Sequence, residues 1–285
     1  MSVDSTEMHM NHETTSYVLG SGDREIERLD RQAASIESAT RLLLRASGIA
    51  RGMRVLDLGT GLGHVAMLVA DIVGPEGRVV GIDNSAKLLD VARVRATGRA
   101  QLQFVEGDVR SWRDNEPFDA IVGRLILFHL ADPVDALRHH AAALRPDGLL
   151  IALDFDVGAS RSEPPVALAD EVLGWVKAAF NHAGADPTIG VKLTLLMAQA
   201  GLVGVQGFGV QGYMGPDDAA APALLSGVAR GVAPQIVAAG LATPEQIDID
   251  TLEARLAAAL HSRGSVVLPP TLSGAWGRRR SADGG

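Results

Sequence analysis

The chain has no cysteine among its 285 residues, which excludes a disulfide framework and a thiolate metal site. No uninterrupted apolar run is long enough to span a bilayer. Met1 to Thr15 is polar and lacks an apolar centre, so no secretory signal is visible there. Positive charge is also short. Twenty-six Lys and Arg against 34 Asp and Glu give a net charge of −8, whereas a nucleic-acid binder usually carries a basic face. Internal repeats and low-complexity linkers are missing too. The apolar fraction is 47%, enough for a sizeable core in one large domain or a domain with a substantial insertion. The expectation is a soluble, cytoplasmic protein that acts on a small molecule and has no nucleic-acid or membrane partner.

The most informative stretch is Met53-Arg54-Val55-Leu56-Asp57-Leu58-Gly59-Thr60-Gly61-Leu62-Gly63-His64-Val65-Ala66. A short apolar run stops at glycines and an Ala/Val/Leu helical pattern follows, which predicts a buried strand, a tight turn and a helix. Gly59 and Gly61 permit positive φ and let main-chain N–H groups approach a ligand. A dinucleotide fingerprint needs a glycine at the sixth position, and there His64 would obstruct a pyrophosphate. Asp57 ends the strand. A carboxylate there would repel a phosphate but suits a ligand carrying an ammonium and a sulfonium. Val79-Val80-Gly81-Ile82-Asp83 is a second buried strand ending in an acid, placed to accept both hydroxyls of a ribose.

On these residues the chain resembles the class I S-adenosylmethionine-dependent methyltransferases. The likeness runs from about Met53 to Phe155, with a weaker echo from Ala183 to Leu202. That echo is similar to bacterial small-molecule and quinone-biosynthesis methyltransferases. The resemblance implies an α/β fold: a doubly wound, mostly parallel seven-stranded sheet with helices on both faces and helical lid insertions. It also implies roles. Asp57 orients the methionine ammonium through water. Gly59, Thr60 and Gly61 pass under the ribose and methionine portion. Asp83 takes the ribose hydroxyls and Asn84 flanks the adenine. At the adenine rim, Gly107-Asp108-Val109 offers the Asp108 carboxylate to the exocyclic amine and the Val109 N–H to a ring nitrogen. The Arg124 carbonyl faces the methionine end. Tyr17 and Arg28 touch that end from a segment closing over it. Strand four is followed by Gly123-Arg124-Leu125-Ile126-Leu127, not by the Asn/Asp-Pro-Pro-aromatic turn of adenine or glutamine amide methylases.

Taken in order, residues 1–15 read as a disordered start, with Met8, His9, Met10 and His12 only a loose hint of metal. Residues 16–50 form a helical cap, its helix from about Asp23 to Ala46. Residues 51–160 alternate strand and helix and form the cofactor-binding core. Its strands are Arg54–Leu58, Arg78–Ile82, Leu102–Val105, Phe118–Val122 and Leu149–Phe155, with Asp132-Pro133 as a helix start. Residues 161–276 hold helices from Pro164 and Ile189, a sixth strand over Leu202–Met214, helices over Pro216–His261 and a last strand over Val266–Trp276. Thr243 and Asp250 are expected to cap helices. Leu224, Leu225, Val228, Ile236 and Val237 predict ordinary core, an apolar substrate pocket or the face of a homodimer. Residues 277–285, with Arg278 to Arg280, read as a solvated tail.

Methyl transfer from a sulfonium is an in-line displacement, so the protein must mainly hold donor and acceptor collinear at about 3–3.5 Å, which can contribute roughly 7–11 kcal/mol. No metal is required, and no metal triad is evident. An oxygen acceptor needs a base with a pKa near the operating pH. His129, shortly after strand four, is the candidate, ahead of His182, Asp154 and Tyr213; a structural histidine is the plainer reading of it. The alternatives are a relative using the same pocket for rearrangement or cyclisation, a nicotinamide-dependent oxidoreductase, and a non-catalytic binding module.

Overall fold

The computed structural model of the protein describes residues 23–281. The polar start, Met8, His9, Met10, His12 and Tyr17 lie outside the described residues. The elements are α1 (Asp23–Ala46), β1 (Arg54–Leu58), α2 (His64–Val73), β2 (Arg78–Asp83), α3 (Ala86–Arg95), β3 (Leu102–Glu106), β4 (Phe118–Arg124), α4 (Pro133–Ala141) and β5 (Leu144–Asp156). They continue as β6 (Arg161–Glu163), α5 (Ala167–His182), α6 (Ile189–Gln199), β7 (Val203–Val210), α7 (Ala220–Ala238), α8 (Pro244–Ile247), α9 (Leu252–Arg263), β8 (Val266–Leu268) and β9 (Thr271–Arg278).

Seven strands form one sheet in the order β3-β2-β1-β4-β5-β9-β7. The first five are parallel, and β9 runs antiparallel to both its neighbours. Helices cover both faces because the strands are apolar on both. Val55, Val79, Val122 and Ile151 pack with α1 and α2, while Leu56, Ile82, Ile121 and Leu150 pack with Leu137 of α4 and Leu193 and Met197 of α6. Each such fully buried aliphatic side chain contributes roughly 1.5–3 kcal/mol. The expected doubly wound sheet is what the structure contains.

Local signals set the helix starts. The Asp132 side chain accepts the Asp135 N–H at 2.9 Å, with Pro133 in the first turn of α4. Thr243 and Gln246 close a reciprocal capping box on α8. The expected Asp250 cap is not there: α9 starts at Leu252 after Thr251, whose hydroxyl donates to Asp248 instead of capping the helix. Asp248 ends α8 at φ 41° and is near enough to take that hydroxyl itself.

The predicted last strand is two strands, because Pro269-Pro270 lack the N–H groups a ladder needs. β8 pairs with β6 in a separate ribbon, and β9 enters the main sheet. Nor is the tail simply solvated. Arg278 pairs with Leu149, its guanidinium donates to the Asp147 carbonyl at 2.8 Å, and the Arg279 N–H donates to Gly148 O at 2.9 Å.

Helices α5, α7, α8 and α9 bury Trp175, Val176, Leu225, Ala229, Ile236 and Leu256 against one another, a core separate from those on the sheet. Val228 and Val237 remain partly exposed.

Candidate active site

Asp57, Gly59, Thr60, Gly61, Asp83 and Arg124 lie at the carboxyl ends of β1, β2 and β4, the rim where an open parallel sheet binds its ligand. Gly59, Gly61 and Gly63 all take positive φ, at 63°, 52° and 80°. Above Gly61 the space is open, whereas a Cβ on Gly59 would lie 2.7 Å from Ile126 Cδ1. The turn is tied to β2 twice. The Thr60 N–H donates to Ile82 O at 2.8 Å, and the Gly61 N–H donates to Asp83 Oδ2 at 2.9 Å.

Asp57 is buried at the end of β1. Its Oδ2 accepts the Thr60 hydroxyl at 2.6 Å, while Oδ1 is shut from solvent with no hydrogen-bond partner among the described residues. Burial pushes its carboxyl up to about 7, against the pull of the Thr60 hydroxyl, the Arg124 charge and the Ala66 backbone N–H in the first turn of α2. An unpaired buried carboxylate oxygen is costly unless a donor arrives, and an ammonium is such a donor. The sequence expectation of a cationic group beside Asp57 therefore fits.

Asp83 already works within the protein. Oδ2 holds Gly61, and Oδ1 accepts the Ser85 N–H at 2.9 Å. Burial raises its carboxyl, and these backbone donors oppose the rise. Each oxygen keeps a lone pair for a hydroxyl. Asn84 beside it is exposed. Asp108 already has a side-chain partner. Arg110 binds both its oxygens, at 3.0 Å from Nε and 2.5 Å from an outer nitrogen, which lowers its carboxyl below the usual range. The adjoining Gly107 N–H donates to Asp83 O at 2.9 Å, and a Cβ on Gly107 would meet Trp112 Cδ1 at 2.4 Å.

The Arg124 side chain turns away from the rim, beneath α1, and donates to the Thr40 hydroxyl at 3.1 Å. There it borders a cleft of about 210 Å³ between α1 and α2, lined also by Glu37, Arg41, His64 and Asp71. Its backbone remains at the end of β4. His64 likewise does not lie across the glycine turn: its Nε2 is 2.9 Å from Asp30 of α1, which also binds Arg95 at 2.7 and 2.8 Å. The expected obstruction of a pyrophosphate by this ring is corrected accordingly. A neutral Nε2–H donates to Asp30, and burial with the Arg124 and Arg95 charges holds the ring's pKa down.

After β4, Leu125 adopts φ 57°, rare for a side chain of that size, and its N–H donates to Leu153 O at 2.8 Å. The kink seats Ile126 against Gly59 and Gly123 and leads into the single turn Leu127–His129. Asp154, buried at the end of β5, accepts the Phe128 N–H at 3.2 Å and is pushed up to about 7 by burial. It is therefore a support for this turn, and its oxygens do not reach an open pocket. Phe128 packs edge-on against both His129 and Phe180 of α5. His129 is exposed at the surface, and the protein packed around it, with the nearby Arg28 charge, lowers its pKa. Arg28 reaches this side of the rim bound to the buried Glu25 through two contacts of 2.7 Å. His182 and Tyr213 are exposed and stand away from these contacts.

Sequence reasoning missed Ile126, Glu25, His139 and His140. The two histidines had no motif to announce them, since their partners are backbone carbonyls of another segment. Among the described residues no group of three or more His, Asp or Glu could hold a metal, and no helix is long and apolar enough to cross a membrane.

Residues 49–186 match a family model described as a methyltransferase domain. The ubiquinone/menaquinone biosynthesis C-methyltransferase of Pseudomonas fluorescens is 32% identical over 145 residues, 49% of this chain and 54% of that protein. The chain thus spans about half the length of that curated relative. Among solved structures, a putative methyltransferase from Bacillus halodurans is 20% identical, covering 86% of this chain and 100% of its own, with a TM-score of 0.54. A phosphoethanolamine N-methyltransferase 2 from Haemonchus contortus, bound to phosphomonomethylethanolamine and S-adenosylhomocysteine, is 18% identical, covering 86% of this chain and 52% of its own, with a TM-score of 0.53. Both share the fold.

Proposed function

We propose that this protein, whose core belongs to the class I S-adenosylmethionine-dependent methyltransferases, methylates a small-molecule acceptor at oxygen, nitrogen or carbon. The observation that carries the reading is the unsatisfied Oδ1 of buried Asp57, beside an open Gly61 and an Asp83 carboxylate that accepts backbone N–H groups and keeps lone pairs to spare, all on one rim. S-adenosylmethionine would supply an electrophilic methyl carbon on a sulfonium. Asp57 would hold its ammonium and Asp83 its ribose hydroxyls, with Gly59, Thr60 and Gly61 lying beneath. Asn84 and Val109 would border the adenine, and the Arg124 carbonyl and Arg28 the methionine end. Tyr17 is assigned to that end by resemblance alone.

The acceptor would enter beside the Leu127–His129 turn, under a roof made by α1 and the helices of residues 161–276. His129 would take the proton of an acceptor hydroxyl or ammonium. Its lowered pKa leaves it neutral at pH 7, the state a base needs. The same reading has the protein act in the cytoplasm, without a nucleic-acid or membrane partner; its net charge of −8 and lack of cysteine support this.

Calorimetry with S-adenosylhomocysteine and with NAD tests the cofactor. Heat with the first and none with the second is the expected result, and the reverse would replace the reading with an oxidoreductase. Incubation of host extract with methyl-labelled S-adenosylmethionine then tests transfer: mass spectrometry should find a small molecule heavier by one methyl. Cofactor turnover without any methylated product would instead indicate a rearrangement.

A further inference from the structure

The loop from Gly107 to Arg113 is held from α4 by two histidines. His140, fully buried, donates from Nε2 to Val109 O at 2.6 Å. His139 bonds through Nε2 to Trp112 O at 3.0 Å, and an Arg113 nitrogen lies 3.3 Å from its Nδ1. Within the loop, Asp108 O accepts from Ser111 N at 3.0 Å and Trp112 N at 2.8 Å. The peptide between Asp108 and Val109 is trans, so a carbonyl fixed inward sends the Val109 N–H the opposite way, out of the loop. That N–H makes no hydrogen bond within the described residues. The following peptide is held at both ends, its carbonyl by His140 and its Arg110 N–H by Asp108 Oδ1 at 2.8 Å. Both planes flanking Val109 are thereby set, and with them its φ and ψ.

We infer that His140 is a positioning residue for recognition of the purine ring: by anchoring Val109 O it aims the Val109 N–H at a ring nitrogen acceptor, and so sets selectivity for the adenine edge. The inference rests on the cofactor reading above. Arg110 occupies the Asp108 carboxylate, whereas the Val109 N–H has no partner in the loop. His140 suits this duty because burial lowers its pKa to about 4, so the ring stays neutral with its one proton on Nε2.

The test uses S-adenosylhomocysteine and its 1-deaza analogue, in which a C–H replaces the ring nitrogen N1. The wild-type protein should bind the analogue about tenfold more weakly, the usual worth of one such hydrogen bond. His140→Leu keeps the buried volume but removes the donor, and should bring the two affinities within about twofold. His140→Gln places an amide N–H near the position of Nε2 and should retain the discrimination. Full discrimination in His140→Leu, its loss in His140→Gln, or equal wild-type affinity for the two ligands would each overturn the inference. Should His140→Leu not fold, His140→Met, which also lacks the donor, takes its place with the same expected outcome. Wild-type binding of neither ligand would instead refute the cofactor reading.

Discussion

The Asp83 carboxylate accepts the N–H of Gly61 at 2.9 Å, so the acid ending β2 is also the anchor of the glycine turn that follows β1. Ligand binding and loop geometry thus depend on one side chain. This makes Asp83 a stronger probe than its role toward a ribose alone suggests.

Asp83→Ala leaves two backbone donors without acceptors, at Gly61 and Ser85, and should cost about 1–3 kcal/mol of stability besides weakening S-adenosylhomocysteine at least about tenfold. Asp83→Asn keeps one acceptor oxygen and should fall between the alanine variant and wild type in both thermal melting and calorimetry. An alanine variant with unchanged melting would show that Gly61 does not need this anchor.

Titration of the buried groups gives stability slopes of opposite sign. The Asp154 carboxyl is pushed from 3.8 up to about 7 in the fold, so the folded state keeps a proton that the unfolded chain releases. Its contribution is full below about pH 3.8 and is lost as pH rises to about 7. His140 is lowered from 6.5 to about 4, so its contribution is gained over that rise and complete above pH 6.5. The melting temperature of Asp154→Asn relative to wild type should therefore climb between pH 4.5 and 8. That of His140→Gln should decline between pH 4.5 and 6.5. Parallel curves would show that neither group is shifted.

Gly190 lies where α6 crosses the end of β5, and a Cβ there would stand 2.6 Å from Asp156 N and 2.8 Å from Asp154 O. These are main-chain atoms that cannot swing aside. Gly190→Ala should destabilise by about 2–3 kcal/mol, by overpacking. Gly227 sits within α7 with open space around its Cβ, so Gly227→Ala should stabilise by about 0.5–1 kcal/mol. Thermal melts of the two variants should move in opposite directions.

Asp30 links α1 to His64 and Arg95, but both Asp30 and Arg95 keep about a third of their side chains in solvent. Screening limits such a link, and Asp30→Asn should cost only about 0.5–1 kcal/mol. The loss should shrink in 1 M salt, where the Debye length is about 3 Å. A larger, salt-independent loss would mark the contact as packing.

The order of elements from Asp23 to Phe155 was readable because each depends on neighbours in sequence: apolar alternation, glycine punctuation, and Asp132-Pro133 as a helix start. Less of the later half was. Nothing local shows that β9, the last strand in the chain, pairs between β5 and β7, since its partners lie more than a hundred positions back in β5 and more than sixty back in β7. The same holds for Arg279, whose partners at Ala142 and Gly148 lie far back in the chain.

By itself the sequence determined the acids and glycines that end β1 and β2, because strand termination and positive φ are short-range properties with residue-type signatures. Only the tertiary structure decided what those groups touch. Whether Asp57 is satisfied, which way the Arg124 side chain runs, and that His140 of α4 meets the Val109 carbonyl all follow from packing between segments distant in the chain. Burial, which sets the cost of an unpaired charge and the state of each acid, exists only once those segments meet.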